Sequence, residues 1–195
     1  FRVRDWYEPI VRGLLTQREG QEIRLMFDGS KVGFGHQLLM VALAYRKRAI
    51  PLVWMWVRSS RGHSTTRRQL ALLNYIRKLL PANTTVLLVG DSEFGAVEVL
   101  RWLDLQNWKY VLRQKGSHLV RDNEQTPWVS LGSFLQKAGQ SLWLERKQLT
   151  RLHAYSVNLA AYWKLGENEP WLLATNLPSL REALQAYERR MWIEE

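Results

Sequence analysis

The 195 residues contain no cysteine. That excludes disulfide frameworks, Cys-based zinc sites and thiol nucleophiles, and it fits a reducing compartment. Long apolar runs are also missing. The longest, Leu38 to Tyr45 and Ile50 to Val57, fall far short of the roughly 18 residues a membrane span needs, so no membrane partner is expected. No signal-peptide pattern opens the chain. Acidic residues are scarce: 18 Asp and Glu stand against 28 Lys and Arg, for a net charge of +10 and a pI near 10.1. This balance favours a polyanionic partner, most often nucleic acid, although ribosomal and membrane-surface proteins share it. The chain does not begin with Met and stops at Glu195 inside a predicted helix, so a fragment of a longer protein is expected.

What is present suffices for a folded core. Hydrophobic residues make up 46% of the chain, ten Trp among them, and 195 residues fit one domain. The continuously apolar run Val86 to Val89 reads as a buried strand of a mostly parallel sheet, and it leads straight into Gly90 and Asp91. Ile23 to Asp28 is a second strand ending in an acid, followed by turn signals at Gly29, Ser30, Gly33 and Gly35. His36 to Tyr45 and Ala49 to Val57 complete an antiparallel meander, and Arg46, Lys47 and Arg48 between them read as a solvated hairpin tip. The Gly33-x-Gly35 pair is a turn rather than a phosphate loop, because no helix follows it. Phe1 to Gly20 has the spacing of a short amphipathic helix.

Thr65 or Thr66 can cap a helix carrying Leu72, Leu73, Ile76, Leu79 and Leu80 on one face, stopped by Pro81. A helix from Ala96 to about Leu105 and a strand from Tyr110 to Arg113 follow Asp91, so the order implies a parallel βαβ crossover. Lys115 to Pro170 has no strong helical period and reads as a largely β insertion. Trp171 to Thr175 returns to a buried strand, and Leu180 onward is helical.

Three acids stand out. Asp28 and Asp91 each end a strand, where open α/β sheets collect ligands and reacting groups. Taken alone, Asp91 is equally a helix cap. On the last helix, Leu180, Leu184, Tyr187 and Met191 recur as a packed stripe. Tyr187, Arg190 and Glu194 fall within roughly 60° of one another, so Glu194 lies beside that stripe. A carboxylate there asks for a partner, which is either a metal or Arg190 in a plain helix salt bridge. Three carboxylates brought together repel and are normally held ionised by divalent cations, with Mg²⁺ or Mn²⁺ matching hard oxygen ligands. Two such ions roughly 4 Å apart suit phosphodiester chemistry.

Asp28-Gly29-Ser30, Asp91-Ser92-Glu93-Phe94-Gly95 and Tyr187-x-x-Arg190-x-x-x-Glu194 together resemble the DDE motifs of bacterial insertion-sequence transposases. The group resembled is the one marked by a Tyr-x-x-Arg-x-x-x-Glu signature, the insertion-sequence-four family. The similarity runs from Ile23 to the end, with 63 positions from Asp28 to Asp91 and 103 from Asp91 to Glu194. It implies an α/β, ribonuclease H-like fold: a mixed five-stranded sheet with flanking helices, a core of about 21–114 and 171–195, and a mainly β insertion, 115–170, before the catalytic helix. It implies that Asp28, Asp91 and Glu194 are catalytic metal ligands for Mg²⁺, with Mn²⁺ as a substitute and two ions in the site. The reaction implied is hydrolysis and strand transfer at transposon ends without a covalent enzyme intermediate. Tyr187 and Arg190 would contact the DNA backbone, a role suited to the forked donors of Arg. The partners implied are double-stranded DNA, as transposon ends and target, and a second copy in a synaptic dimer. The implied location is the bacterial cytoplasm, at the nucleoid.

Two other readings stay open: a non-catalytic domesticated DNA-binding remnant, and a ribonuclease H-like nuclease that cuts without joining. His36, His63, His118 and His153 lack ligand spacing and read as structural or surface residues. Ser30 and Ser92 have no His placed beside them by motif. Trp143, Trp163 or Trp171 in or beside the insertion can stack on an unpaired base. Arg113 and Lys115 point either to phosphate or to plain solvent.

Overall fold

Each apolar run predicted as a strand forms one in the computed structural model, which describes residues 3–33, 35–58 and 64–190. β1 (Ile23–Lys31), β2 (His36–Tyr45) and β3 (Arg48–Arg58) make the antiparallel meander. Arg46 and Lys47 turn its tip with φ of 47° and 63°, positive values at both central residues as a tight hairpin turn following the strands' twist requires. β4 (Val86–Gly90) lies parallel to β1, and β5 (Lys109–Arg113) parallel to β4. All five residues of β4 are buried, as expected of a central strand covered on both faces.

The order β3-β2-β1-β4-β5 is the mixed five-stranded sheet anticipated, and the fold is ribonuclease H-like. The sheet then continues beyond that number. β10 (Trp171–Thr175) pairs antiparallel with β5, and on its other side follow β9 (Tyr155–Tyr162), β8 (Ser141–Leu149), β6 (Leu119–Arg121) and β7 (Val129–Ser130), giving ten strands in one sheet. The β insertion is thus an extension of the core sheet through β10. Its Val120, Leu149 and Leu159 join the same hydrophobic cluster as Leu25 and Leu88.

Helices cover both faces. α1 (Val3–Thr16), α2 (Thr66–Arg77) and α3 (Val97–Leu105) pack on one side through Val11 and Leu15, Leu72, Leu73 and Ile76, and Val99, Leu100 and Leu103. α4 (Leu180–Glu188) packs on the other side through Ala183, Ala186 and Tyr187, against Met26, Leu87, Val89 and Val111. Leu180 and Leu184 of the predicted stripe are half-buried at its margin, and Met191 lies outside the described residues. Ser179 caps α4 by accepting a 3.3 Å bond from the Glu182 amide. The Ser-x-x-Glu spacing is that of a capping box. Thr65 sits at the N-cap of α2 but its side chain makes no cap bond.

Candidate active site

The last parallel pair between β1 and β4 is Phe27 with Gly90. Asp28 and Asp91 are each the next residue, so they stand side by side at the carboxyl ends of adjacent strands, whose spacing is about 4.8 Å. The chain then bends sharply. Asp91 Oδ1 accepts a 2.6 Å bond from the Ser92 amide, and Ser92–Phe94 forms one 3-10 turn. The capping reading of Asp91 therefore holds for this short turn, while α3 starts later, with Ala96 at its cap.

The motif residues around the two acids build a scaffold. Phe94 folds back so that its ring stacks on Phe27 at 4.0 Å. Glu93 accepts from Gln37 Nε2 at 2.8 and 3.0 Å, from the Ser64 amide at 2.7 Å and from Ser64 Oγ at 2.6 Å. Gln69 donates to the Glu93 carbonyl at 3.1 Å and to Ser64 Oγ at 3.0 Å. This cluster ties the turn after β4 to β2 and to the start of α2. A side chain at Gly29 would put its Cβ 2.5 Å from Gln37 Nε2 and 3.0 Å from Glu93 Oε2, so it would have to displace the hydrogen-bonded ends of both side chains. Gly95 is held likewise against Arg113 O, at 2.6 Å. Glu93 stands in the Asp91-Ser92-Glu93-Phe94-Gly95 motif, which by itself assigns it no role. The signal that could have found its partners is Gln37 and Gln69, polar residues at inward positions of apolar patterns, both buried.

From α4 the motif arginine arrives at the same place. Arg190 Nη2 lies 3.4 Å from Asp28 Oδ1, with side-chain exposures of 11% and 26%. Asp28, Asp91 and Arg190 are brought together. Tyr187 is 1% exposed, its ring edge-on to Trp171 at 5.2 Å, so here it packs α4 onto the sheet. Glu194 lies outside the described residues, as does His63. Among the described residues no three His, Asp or Glu side chains cluster as a metal cage.

Beside Asp91 opens a cleft of about 480 Å³ toward the insertion, lined by Arg113, Lys115 and Trp163 among others. Arg113 also reaches Glu169 at 3.1 Å. Of the three tryptophans singled out, Trp163 lines this cleft. Trp171 packs between Tyr162 and Tyr187, and Trp143 donates to Glu145. The described histidines do not assemble. His36 is exposed at the start of β2 and His153 stands 3.6 Å from Glu98. His118 bonds Gln114 at 3.0 Å, and burial lowers its affinity for a proton.

No protein-family model matches the chain, and no curated protein does. Solved structures of similar fold exist. A piggyBac transposase, in a synaptic complex with hairpin DNA, superposes with a TM-score of 0.54 at 12% identity over 88% of this chain. This chain spans 38% of that transposase's length. A Ciona intestinalis endonuclease V bound to DNA gives 0.42 at 10% identity, over 93% of this chain and 86% of its own. Marinitoga piezophila Argonaute with guide RNA and target DNA gives 0.36 at 14%, over 87% and 25%. The first likeness establishes the shared fold, and the other two are too weak to add to it. No helix among the described residues is long and apolar enough to cross a membrane.

Proposed function

We propose that the chain is the catalytic core of a DNA transposase of the DDE type, of the insertion-sequence-four family. The observation that carries this reading is the meeting of Asp28, Asp91 and Arg190 from three separate motifs at one end of the sheet. In support stand a net charge of +10 and a cleft beside Asp91 that carries Arg113 and Lys115. DNA backbone charge is neutralised by such groups.

The two aspartates fit a hard divalent cation. Both present carboxylate oxygens at adjacent strand ends, and only one oxygen of Asp91 is engaged, by the Ser92 amide, among the described residues. Asp28 and Asp91 would hold Mg²⁺, with Glu194 as the third ligand, and two ions are expected. Bound there, the cations would supply activation of an attacking hydroxyl and stabilisation of the leaving oxygen. Arg190 orients Asp28, and its planar guanidinium suits contact with the DNA backbone. Lys115 and Arg113 hold the DNA backbone along the cleft. The product is a cut and joined DNA end, with double-stranded transposon ends and target DNA as partners and a dimer in the synaptic complex.

The test is Mg²⁺-dependent cleavage and joining of the element's ends by Asp28→Asn, Asp91→Asn and Glu194→Gln. Loss of both activities in all three, with the circular dichroism spectrum unchanged, supports the reading. Full activity in any one overturns it, and cleavage without joining by the parent chain identifies a nuclease instead.

A further inference from the structure

On the face of the sheet that carries Asp28, β2 and β3 present an apolar shelf. Register defines it: Asp28 pairs with Met40, which pairs with Trp54, and one step along Ser30 pairs with Leu38, which pairs with Trp56. Cross-strand partners share a face. The alternate residues of the same strands, Leu39, Val41, Val53 and Val57, are buried under α1 and α2. Leu38, Met40, Trp54 and Trp56 belong to neither hydrophobic cluster of the described residues.

Trp54 is 36% exposed, and its ring lies edge-on to Tyr7 of α1 at 5.0 Å, so it reaches round the outer strand toward the opposite face and leaves the open part of the shelf to Trp56. Trp56 is 58% exposed. The next row pairs His36 with Arg58, both exposed. β3 is moreover the outer strand of the sheet. Outer strands are usually protected with charge, so a large open indole there marks a contact surface.

We propose that this shelf is a stacking platform for unpaired bases of the DNA strand at the catalytic end, with a base on Trp56 and its phosphates on Arg58 and His36. The proposal rests on the DNA-processing reading above. Three observations favour DNA over a protein partner. The shelf is continuous with Asp28, two strand spacings away, or about 10 Å. Its open edge carries basic groups, as expected for a phosphate backbone, on a chain with ten more basic than acidic residues. A flat indole beside a guanidinium is the arrangement that binds unpaired strands without sequence preference. Bases inside a duplex keep their faces stacked, so only an opened segment can use it.

The experiment measures affinity of the 195-residue chain for a fluorescent duplex carrying an unpaired oligothymidine arm, and for the same duplex with blunt ends. Trp56→Ala is expected to weaken binding to the armed duplex about tenfold and to the blunt duplex less than about twofold. Trp56→Phe is expected to retain most of the affinity. Equal affinity of parent and Trp56→Ala for the armed duplex overturns the proposal. So does a parent dimer that Trp56→Ala dissolves, which makes a second copy the occupant. The two readings separate cleanly. Unchanged arm binding in Trp56→Ala, with cleavage still abolished by Asp28→Asn, removes the shelf alone. Trp56-dependent arm binding, with cleavage indifferent to Asp28→Asn, removes the transposase reading alone.

Discussion

Arg190 Nη2 and Asp28 Oδ1 lie 3.4 Å apart although 162 positions separate them in the chain. The pair is largely shielded from water, with Arg190 only 11% exposed, so removing the guanidinium leaves a poorly solvated carboxylate and costs some stability. A catalytic role for the pair predicts a loss of activity beyond that cost. Arg190→Ala should lower single-turnover DNA cleavage about 10²-fold, the scale of losing one positioned donor, under conditions where the variant stays folded. Arg190→Lys should recover only part of that rate, because a point charge cannot reproduce the fork. A large drop in stability with unchanged cleavage would make the pair structural.

Glu93 has the opposite balance. It is engaged by buried Gln37 and half-buried Ser64, so Glu93→Ala leaves their donors without an acceptor. The expected loss is about 2–4 kcal/mol, since hydrogen bonds to charged groups and stranded partners both count. Urea unfolding reads it directly. Glu93→Gln keeps an acceptor for Ser64 but sets an amide against Gln37 Nε2, and should fall between the parent and Glu93→Ala.

Much of this is legible in the sequence. The unbroken apolar run ending in Asp91 marked β4, because a central strand has no solvent face to pattern it. The strand-acid pairing at Asp28 marked β1 in the same way. The ten-strand extent was not legible: β10 joining β5 to the insertion is a long-range pairing, and local alternation in Ser141 to Glu145 cannot say which strand lies next door. The motif around Tyr187 points to the DNA backbone but says nothing of its 1% exposure, because the residues it packs against, Trp171, Met26 and Val89 among them, come from other strands. Glu93 was hidden because an acid in a turn looks solvated until its donors, Gln37 and Ser64, are known.

The attachment of α1 should depend on acid pH. Glu8 accepts from Tyr75 at 2.8 Å, from Arg12 at 2.8 Å and from Arg4 at 3.0 Å. The Tyr75 hydroxyl first, then Arg12 and Arg4, hold its pKa down to about 2, against an ordinary 4.5. A carboxyl lowered on folding adds stability that is whole above about pH 4.5 and is lost as pH falls toward about 2. The urea midpoint of the parent should decline through that window more steeply than that of Glu8→Gln. Parallel curves for the two proteins would show that Glu8 carries none of the acid sensitivity.

Asp104 joins four elements at one carboxylate. Tyr155 of β9 and Tyr110 of β5 donate to its Oδ2, the latter at 3.2 Å, and Asn176 after β10 donates to Oδ1 at 3.0 Å. Asn176 also bonds the Trp108 carbonyl and the Tyr110 amide, so helix α3, the core sheet and the insertion share one network. Burial, reinforced by the neighbouring carboxylate, pushes both tyrosine hydroxyls above their usual range. Both should therefore stay protonated in alkali until the protein unfolds. Asp104→Ala strands the buried Tyr110 hydroxyl and is expected to cost about 2–4 kcal/mol. Tyr155→Phe removes one donor and should cost about 1 kcal/mol. Because the two share an atom contact, the double variant should be less unstable than the sum of the singles, with a coupling of about 0.5–3 kcal/mol. If α3 and the insertion behaved as independent units, the losses would add, and a double-mutant cycle in urea distinguishes the two outcomes.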